Sequence, residues 1–168
     1  MTFDESGYTT CETCGRAKWR RWCNDESDKP MRALVVEDSD EDACTLKRLL
    51  AEIDVQADVA ASLDAMPDNL AVYDFIILDL LIPDADPDYV IQFARELSMS
   101  KMVAFVLTGY QDLAVAEKAG EAGIGYWLKM DKDTLRIALA YLRGAAKRNQ
   151  KRKEMCRALL NTNILQAV

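Results

Sequence analysis

From residue 31 onward the chain alternates short continuous apolar runs with stretches in which apolar residues recur every three to four positions. Arg32 to Val36 reads as a buried strand. Asp40 to Ile53 places Ala43, Leu46, Leu49 and Leu50 on one face behind acidic capping residues, which predicts a helix. Val55 to Ala60 is a weaker second strand, Leu63 to Leu70 a short helix, and Tyr73 to Leu78 a continuous apolar run of the kind found in a central parallel strand. Asp86 and Pro87 supply an N-cap and first helical position for a helix over Tyr89 to Leu97. Met102 to Leu107 reads as a fourth strand, Asp112 to Ala122 as a helix and Ile124 to Leu128 as a fifth strand. A last helix begins near Lys132, with Leu135, Leu139, Leu142 and Ala146 as its packing face, and runs past Arg148. Five strand-helix units predict an α/β, doubly wound parallel (βα)5 sheet joined by right-handed crossovers.

Composition narrows the function. At 168 residues one core is expected, and no apolar run approaches the roughly 18 to 20 residues of a membrane span. Residues 1 to 10 lack the apolar stretch of a secretory signal, so a cytoplasmic location is expected. The chain has no histidine, which removes Ser-His-Asp and Cys-His catalysis and every His-containing metal site. Charge is segregated: residues 33 to 133 carry 7 Lys or Arg against 21 Asp or Glu, and residues 134 to 168 carry 8 basic residues against Glu154 alone. An acidic body suits a cation and argues against direct nucleic-acid binding. We divide the chain into an arm (1–30), a domain (31–146) and a basic helical extension (147–168). In the arm, Cys11, Cys14 and Cys23 make a weak zinc site, since C-x-x-C-G points two thiolates at one place but a closed structural site takes four ligands. A loosely packed arm without metal is the alternative.

In a doubly wound sheet the ligand site lies beyond the carboxyl ends of the strands. This chain places Glu37 and Asp38 after the first strand, Asp79 after the third, Thr108 after the fourth and Lys129 after the fifth. Three clustered carboxylates repel one another unless a hard divalent cation joins them, and Mg²⁺ is the natural choice. Beside such a cation a carboxylate can attack a phosphoryl group and form an acyl phosphate, with hydroxyl and ammonium donors holding the remaining oxygens.

The stretches Ala33 to Ser39, Ile77 to Pro83, Val106 to Gly109 and Gly125 to Lys129 resemble the receiver domain of two-component response regulators. The resemblance spans about residues 31 to 145 and implies a flavodoxin-like fold. It further implies that Asp79 accepts a phosphoryl group from a histidine kinase or histidine phosphotransfer protein. Glu37, Asp38, Asp79 and the Leu81 backbone carbonyl would hold Mg²⁺. Thr108 would be the switch hydroxyl, Lys129 the phosphate-bridging amine, and Tyr126 the aromatic that moves when Thr108 is recruited. Met130 follows Lys129 where the family usually has proline, so a differently shaped loop is expected there. No output domain is expected, which leaves signalling to protein contact with a downstream target.

Four readings compete. A pseudo-receiver would bind partners without phosphorylation, but Asp79, Thr108 and Lys129 are intact. A dehalogenase-type phosphatase needs an aspartate at position 81, where this chain has leucine, and a toprim-type nuclease fails on the same ground. A flavodoxin needs a Ser/Thr/Gly-rich phosphate loop after the first strand, where Glu37-Asp38-Ser39-Asp40 stands. The protein is therefore expected to be no enzyme beyond phosphoryl transfer to its own Asp79 and slow autodephosphorylation. Met155, Leu159 and Leu160 in the basic extension are expected to pack on another chain, most simply a second copy.

Overall fold

The computed structural model describes the backbone of residues 8–10, 17–19 and 30–165 and the side chains of 30–155. The chain divides into two units, Met1–Pro30 and Met31–Val168. In the first, Tyr8–Thr10 and Ala17–Trp19 pair antiparallel, with Tyr8 opposite Trp19. Cys11, Cys14 and Cys23, the weak zinc site expected from the sequence, lie outside the described residues.

The second unit contains β1 (Met31–Val36), α1 (Asp40–Ala51), β2 (Val55–Ala60), β3 (Phe75–Leu78), α2 (Pro87–Met99), β4 (Val103–Thr108), α3 (Leu113–Glu121), β5 (Gly125–Leu128) and α4 (Lys132–Leu165). The five strands are all parallel and lie in the order β2-β1-β3-β4-β5, which makes this a flavodoxin-like sheet. Because side chains alternate along a strand, each strand feeds two cores. Leu34, Val36, Ile76, Leu78, Ala104 and Val106 face α2 and α3. Ala33, Val35, Phe75, Ile77, Phe105 and Leu107 face α1 and α4, where Leu46, Leu49 and Leu50 meet Leu135, Leu139, Leu142 and Ala146.

The helix starts follow local chemistry. Ser39 caps α1, its hydroxyl accepting from the Asp42 amide at 3.4 Å, and Asp40, Glu41 and Asp42 add negative charge to the first turn. Asp86 caps α2 by accepting from the Tyr89 amide at 2.8 Å, with Pro87 in the first turn as expected. Asp112 caps α3 through the Ala114 and Val115 amides. Gly123, at φ 71°, lets the chain leave α3 in a left-handed turn.

The expected helix over Leu63 to Leu70 does not form. Residues 61–69 are bends and turns, followed by a 3-10 turn at Leu70–Val72, so the unit has five strands and four α-helices. Pro67 explains the difference: in a helix its ring would meet the Leu63 carbonyl, and it pushes Met66 out of helical backbone space. Leu63, Met66 and Leu70 still cover the core, which is the apolar spacing that suggested a helix. The loop is tied down by the Asp64 amide, which donates to Asp84 Oδ2 at 2.8 Å.

Two glycines carry opposite expectations. A Cβ on Gly125 would fall 2.6 Å from Phe105 Cε1, whereas one on Gly144 in α4 meets nothing within 4 Å. Gly125→Ala should therefore destabilise the fold by about 1–3 kcal/mol. Gly144→Ala should raise stability by about 0.5–1 kcal/mol through helix propensity. Urea unfolding of the two variants checks this; equal midpoints would contradict it.

The helix α4 spans 34 residues, or about 50 Å. Its apolar face is covered as far as Ala146. Beyond that, polar bonds continue the attachment: Asn149 Nδ2 donates to the Lys101 carbonyl at 2.9 Å, and Gln150 Nε2 to Asp74 Oδ1 at 2.5 Å. Met155 is 60% exposed. Among the described residues, no helix is long and apolar enough to cross a membrane.

Candidate functional site

Among the described residues the buried polar side chains are Glu37, Asp79 and Thr108, and each stands at or just beyond the carboxyl end of a core strand. Such groups are expensive to bury without partners. Backbone bonds extend the strands to hold them: the Glu37 amide donates to the Ala60 carbonyl and the Asp79 amide to the Val36 carbonyl, both at 2.9 Å. The Lys129 amide donates to the Thr108 carbonyl at 2.8 Å, which brings the fifth strand's lysine to the fourth strand's threonine. Met130 is 67% exposed and its amide bonds the Leu128 carbonyl. Met130, expected to reshape this loop, therefore points outward while the Lys129 side chain points into the site.

The Lys129 ammonium, on a side chain only 9% exposed, donates to Asp79 Oδ2 at 2.7 Å, to Asp42 Oδ2 at 3.0 Å and, in a short bond, to Glu37 Oε2. Both buried carboxylates are engaged at their other oxygen too. Glu37 Oε1 accepts from the Ser39 amide at 3.2 Å; Asp79 Oδ1 accepts from the Leu80 and Leu81 amides at 2.6 and 3.3 Å.

These contacts set the protonation behaviour. Burial raises the Glu37 carboxyl above its usual range, and the Lys129 bond offsets this only in part. Burial also acts on Asp79, but bonding from Lys129, with a smaller contribution from the Thr108 hydroxyl, outweighs it and holds the carboxyl below its usual range. Burial alone would lower the Lys129 ammonium; its bonds to Asp79 and Glu37 push it upward instead. At neutral pH Lys129 is therefore charged and Asp79 ionised.

One carboxylate oxygen from each of Glu37, Asp38 and Asp79 lies within 4.8 Å of the others, with Asp38 exposed and the other two buried. Three hard oxygen donors, one open to solvent, fit a divalent cation such as Mg²⁺ that retains water ligands. Leu81 is 53% exposed and gives its amide to Asp79. The Thr108 hydroxyl accepts from the Tyr110 amide at 3.1 Å, and the Tyr126 hydroxyl donates to the Tyr110 carbonyl. The Tyr110 backbone thus bridges the threonine and the tyrosine.

All five polar residues singled out at strand ends are brought together, with Tyr126 one peptide away. Asp42 was missed. Its place in the first turn of α1, directly behind Glu37 and Asp38, was the available signal, masked because an acid in a helix's first turn is usually explained by the helix dipole.

Comparison with known proteins identifies the fold. No family model and no curated protein matches the chain. Many solved structures do. A CheY-like response regulator receiver domain from Methanospirillum hungatei aligns with a TM-score of 0.60 at 20% identity, covering 73% of this chain and 98% of that one. A signal receiver domain from Vibrio parahaemolyticus gives 0.61 at 21%, covering 74% and 96%. A response regulator receiver domain from Clostridium thermocellum gives 0.58 at 24%, covering 70% and 97%. The chain has the fold of CheY-like response regulator receiver domains.

Proposed function

We propose that this chain is a phosphoacceptor response regulator of a two-component or phosphorelay pathway. The observation that carries the proposal is that the described buried polar residues, Glu37, Asp79 and Thr108, converge with the Lys129 ammonium at the carboxyl ends of four parallel strands. A core that only needed to be stable would not gather two carboxylates there.

In this reading Glu37, Asp38, Asp79 and the Leu81 backbone carbonyl would hold Mg²⁺, whose charge would offset that of the carboxylates and an incoming phosphoryl group. Asp79 attacks the phosphorus of a phosphohistidine on a kinase or phosphotransfer protein; its new P–O bond forms as the P–N bond breaks, and the donor imidazole leaves. Ionisation of Asp79 at neutral pH supplies the nucleophile. Lys129 then bridges Asp79 to a phosphoryl oxygen. Turning the Thr108 hydroxyl toward the phosphoryl group would give up its bond from the Tyr110 amide, and Tyr126 is tied to the carbonyl of that same residue, on the next peptide. In this reading the backbone of Tyr110 is how a change at Asp79 reaches the surface near α3 and β5. The signal passes by protein contact in the cytoplasm, without direct nucleic-acid binding. With Mg²⁺ and acetyl phosphate the intact protein should gain one phosphoryl group and Asp79→Asn none. A wild type that binds Mg²⁺ yet stays unmodified would favour the pseudo-receiver.

The basic end of α4 is proposed as a homodimer contact, because Met155 is exposed on a helix that continues to Leu165. Sedimentation should give a dimer for the full chain and a monomer after removal of residues 151–168, which spares the Asn149 and Gln150 bonds. A monomeric full chain would contradict the contact.

A further inference from the structure

An ammonium has three N–H donors, and those of Lys129 are all committed to carboxylates: Glu37, Asp79 and Asp42. Two of those, Glu37 and Asp79, also belong to the set that fits a divalent cation, whereas Asp42 does not. The oxygens of Glu37 and Asp79 that do not face Lys129 accept backbone amides from Ser39, Leu80 and Leu81. An arriving cation must therefore compete with the ammonium for Glu37 and Asp79, and two positive charges cannot share those oxygen faces without repulsion. Lys129 is too deeply placed to be released to water at no penalty, since its side chain is 9% exposed. Asp42 is the partner that remains. Its side chain is 47% exposed, at the rim of the site, in the first turn of α1. Its own charge stays hydrated, and it can keep its bond while the other two are surrendered.

We propose that Asp42 is a positioning residue: it is the carboxylate onto which the Lys129 ammonium falls back when a divalent cation occupies Glu37, Asp38 and Asp79. The inference rests on the Mg²⁺-dependent receiver reading and adds to it a resting place for the lysine. In the cation-free site the ammonium divides its bonding among three carboxylates. In the cation-bound site Asp42 carries a larger share, so the bond between Asp42 and Lys129 is worth more there, and removing it disfavours the cation-bound form. After phosphoryl transfer the same position leaves the ammonium beside Asp79, within reach of a phosphoryl oxygen.

The test is a double-variant cycle on Mg²⁺ affinity by titration calorimetry of the full chain, with wild type, Asp42→Asn, Lys129→Met and the combination. Asp42→Asn should weaken Mg²⁺ binding about three- to fivefold. Asp42→Glu should recover most of that loss. In the Lys129→Met background the same asparagine change should alter affinity by less than about twofold, because the partner it acts through is gone. Lys129→Gln serves as the background should the methionine variant not fold. Unchanged affinity in Asp42→Asn, tighter binding, or an equal loss in both backgrounds would overturn the proposal, the last showing that Asp42 acts on the cation directly. A wild type that binds no Mg²⁺ would overturn the receiver reading and this inference with it, and is distinguishable because wild type and Asp42→Asn would then both be silent.

Discussion

Lys129→Met is expected to lower stability at neutral pH by about 3–5 kcal/mol, the usual penalty for stripping one partner from a buried ionic cluster. Two of the three carboxylates are buried: the side chains of Glu37 and Asp79 are 2% and 9% exposed. Without the ammonium their charges face each other across the site, left with backbone amides on their far oxygens and, for Asp79, the Thr108 hydroxyl. The loss should shrink in acid, where both carboxyls take up protons and no longer need a cation. Millimolar Mg²⁺ should restore more stability to the variant than it adds to the wild type, because the metal replaces the missing charge.

The alkaline limb separates this explanation from a packing defect. The Lys129 ammonium is raised above its ordinary 10.5 in the folded chain, so its contribution is fully present below 10.5 and is lost as pH rises through the higher folded value. Wild type should lose stability there through Lys129, and the variant should lack that component. In acid the two carboxylates oppose each other. Asp79 is depressed, so its contribution is present above 3.8 and lost as pH falls through its lower folded value. Glu37 is raised, so its ionisation weakens the fold as pH climbs past 4.5 toward its folded value. Urea midpoints across pH for the two proteins measure the difference; parallel curves would mean that Lys129 only fills space.

The second large effect concerns the lifetime of the phosphorylated state. Hydrolysis of an acyl phosphate needs a water aligned with the P–O bond that breaks; the receiver resemblance implies that its path is flanked by the side chains two positions after Asp79 and two after Thr108, which are Leu81 and Tyr110. Leu81 offers no polar atom to orient water. The Tyr110 hydroxyl is committed to Asp112 Oδ2 at 3.3 Å, and the side chain packs against the core. General-base and positioning contributions are therefore missing, so the wild type should lose its phosphoryl group slowly. Combining Leu81→Asn with Tyr110→Glu supplies an amide and a carboxylate and should accelerate loss by roughly tenfold or more. Following bound phosphate after removing the donor decides it: loss within seconds from wild type, or no gain in the double variant, would contradict the account.

Much of the fold was legible because the physics is local. The apolar runs at Arg32 to Val36 and Val55 to Ala60, and the caps at Asp86 and Asp112, signal strands and helices without help from distant residues. The false helix at 63–70 shows the limit. Its apolar residues have a helical spacing because they cover a core, and a loop can do that too when Pro67 blocks helix formation. The site was legible because chemistry-bearing residues sit at strand ends, and topology alone carries those ends together. Asp42 was not, because its role depends on the direction of one flexible lysine arriving from 87 residues away. The backbone link through Tyr110 was hidden for a related reason, since backbone bonds leave no mark on residue type.

The claim at the centre of this account is that Asp79 carries the phosphoryl group. Borohydride reduces an acyl phosphate to the alcohol, so a protein treated with acetyl phosphate and Mg²⁺, then reduced and digested, should yield homoserine in place of aspartate in the peptide containing Ile77 to Pro83, at position 79 alone. An unreduced peptide, or homoserine at Asp38 or Glu37's equivalent alcohol instead, would contradict it.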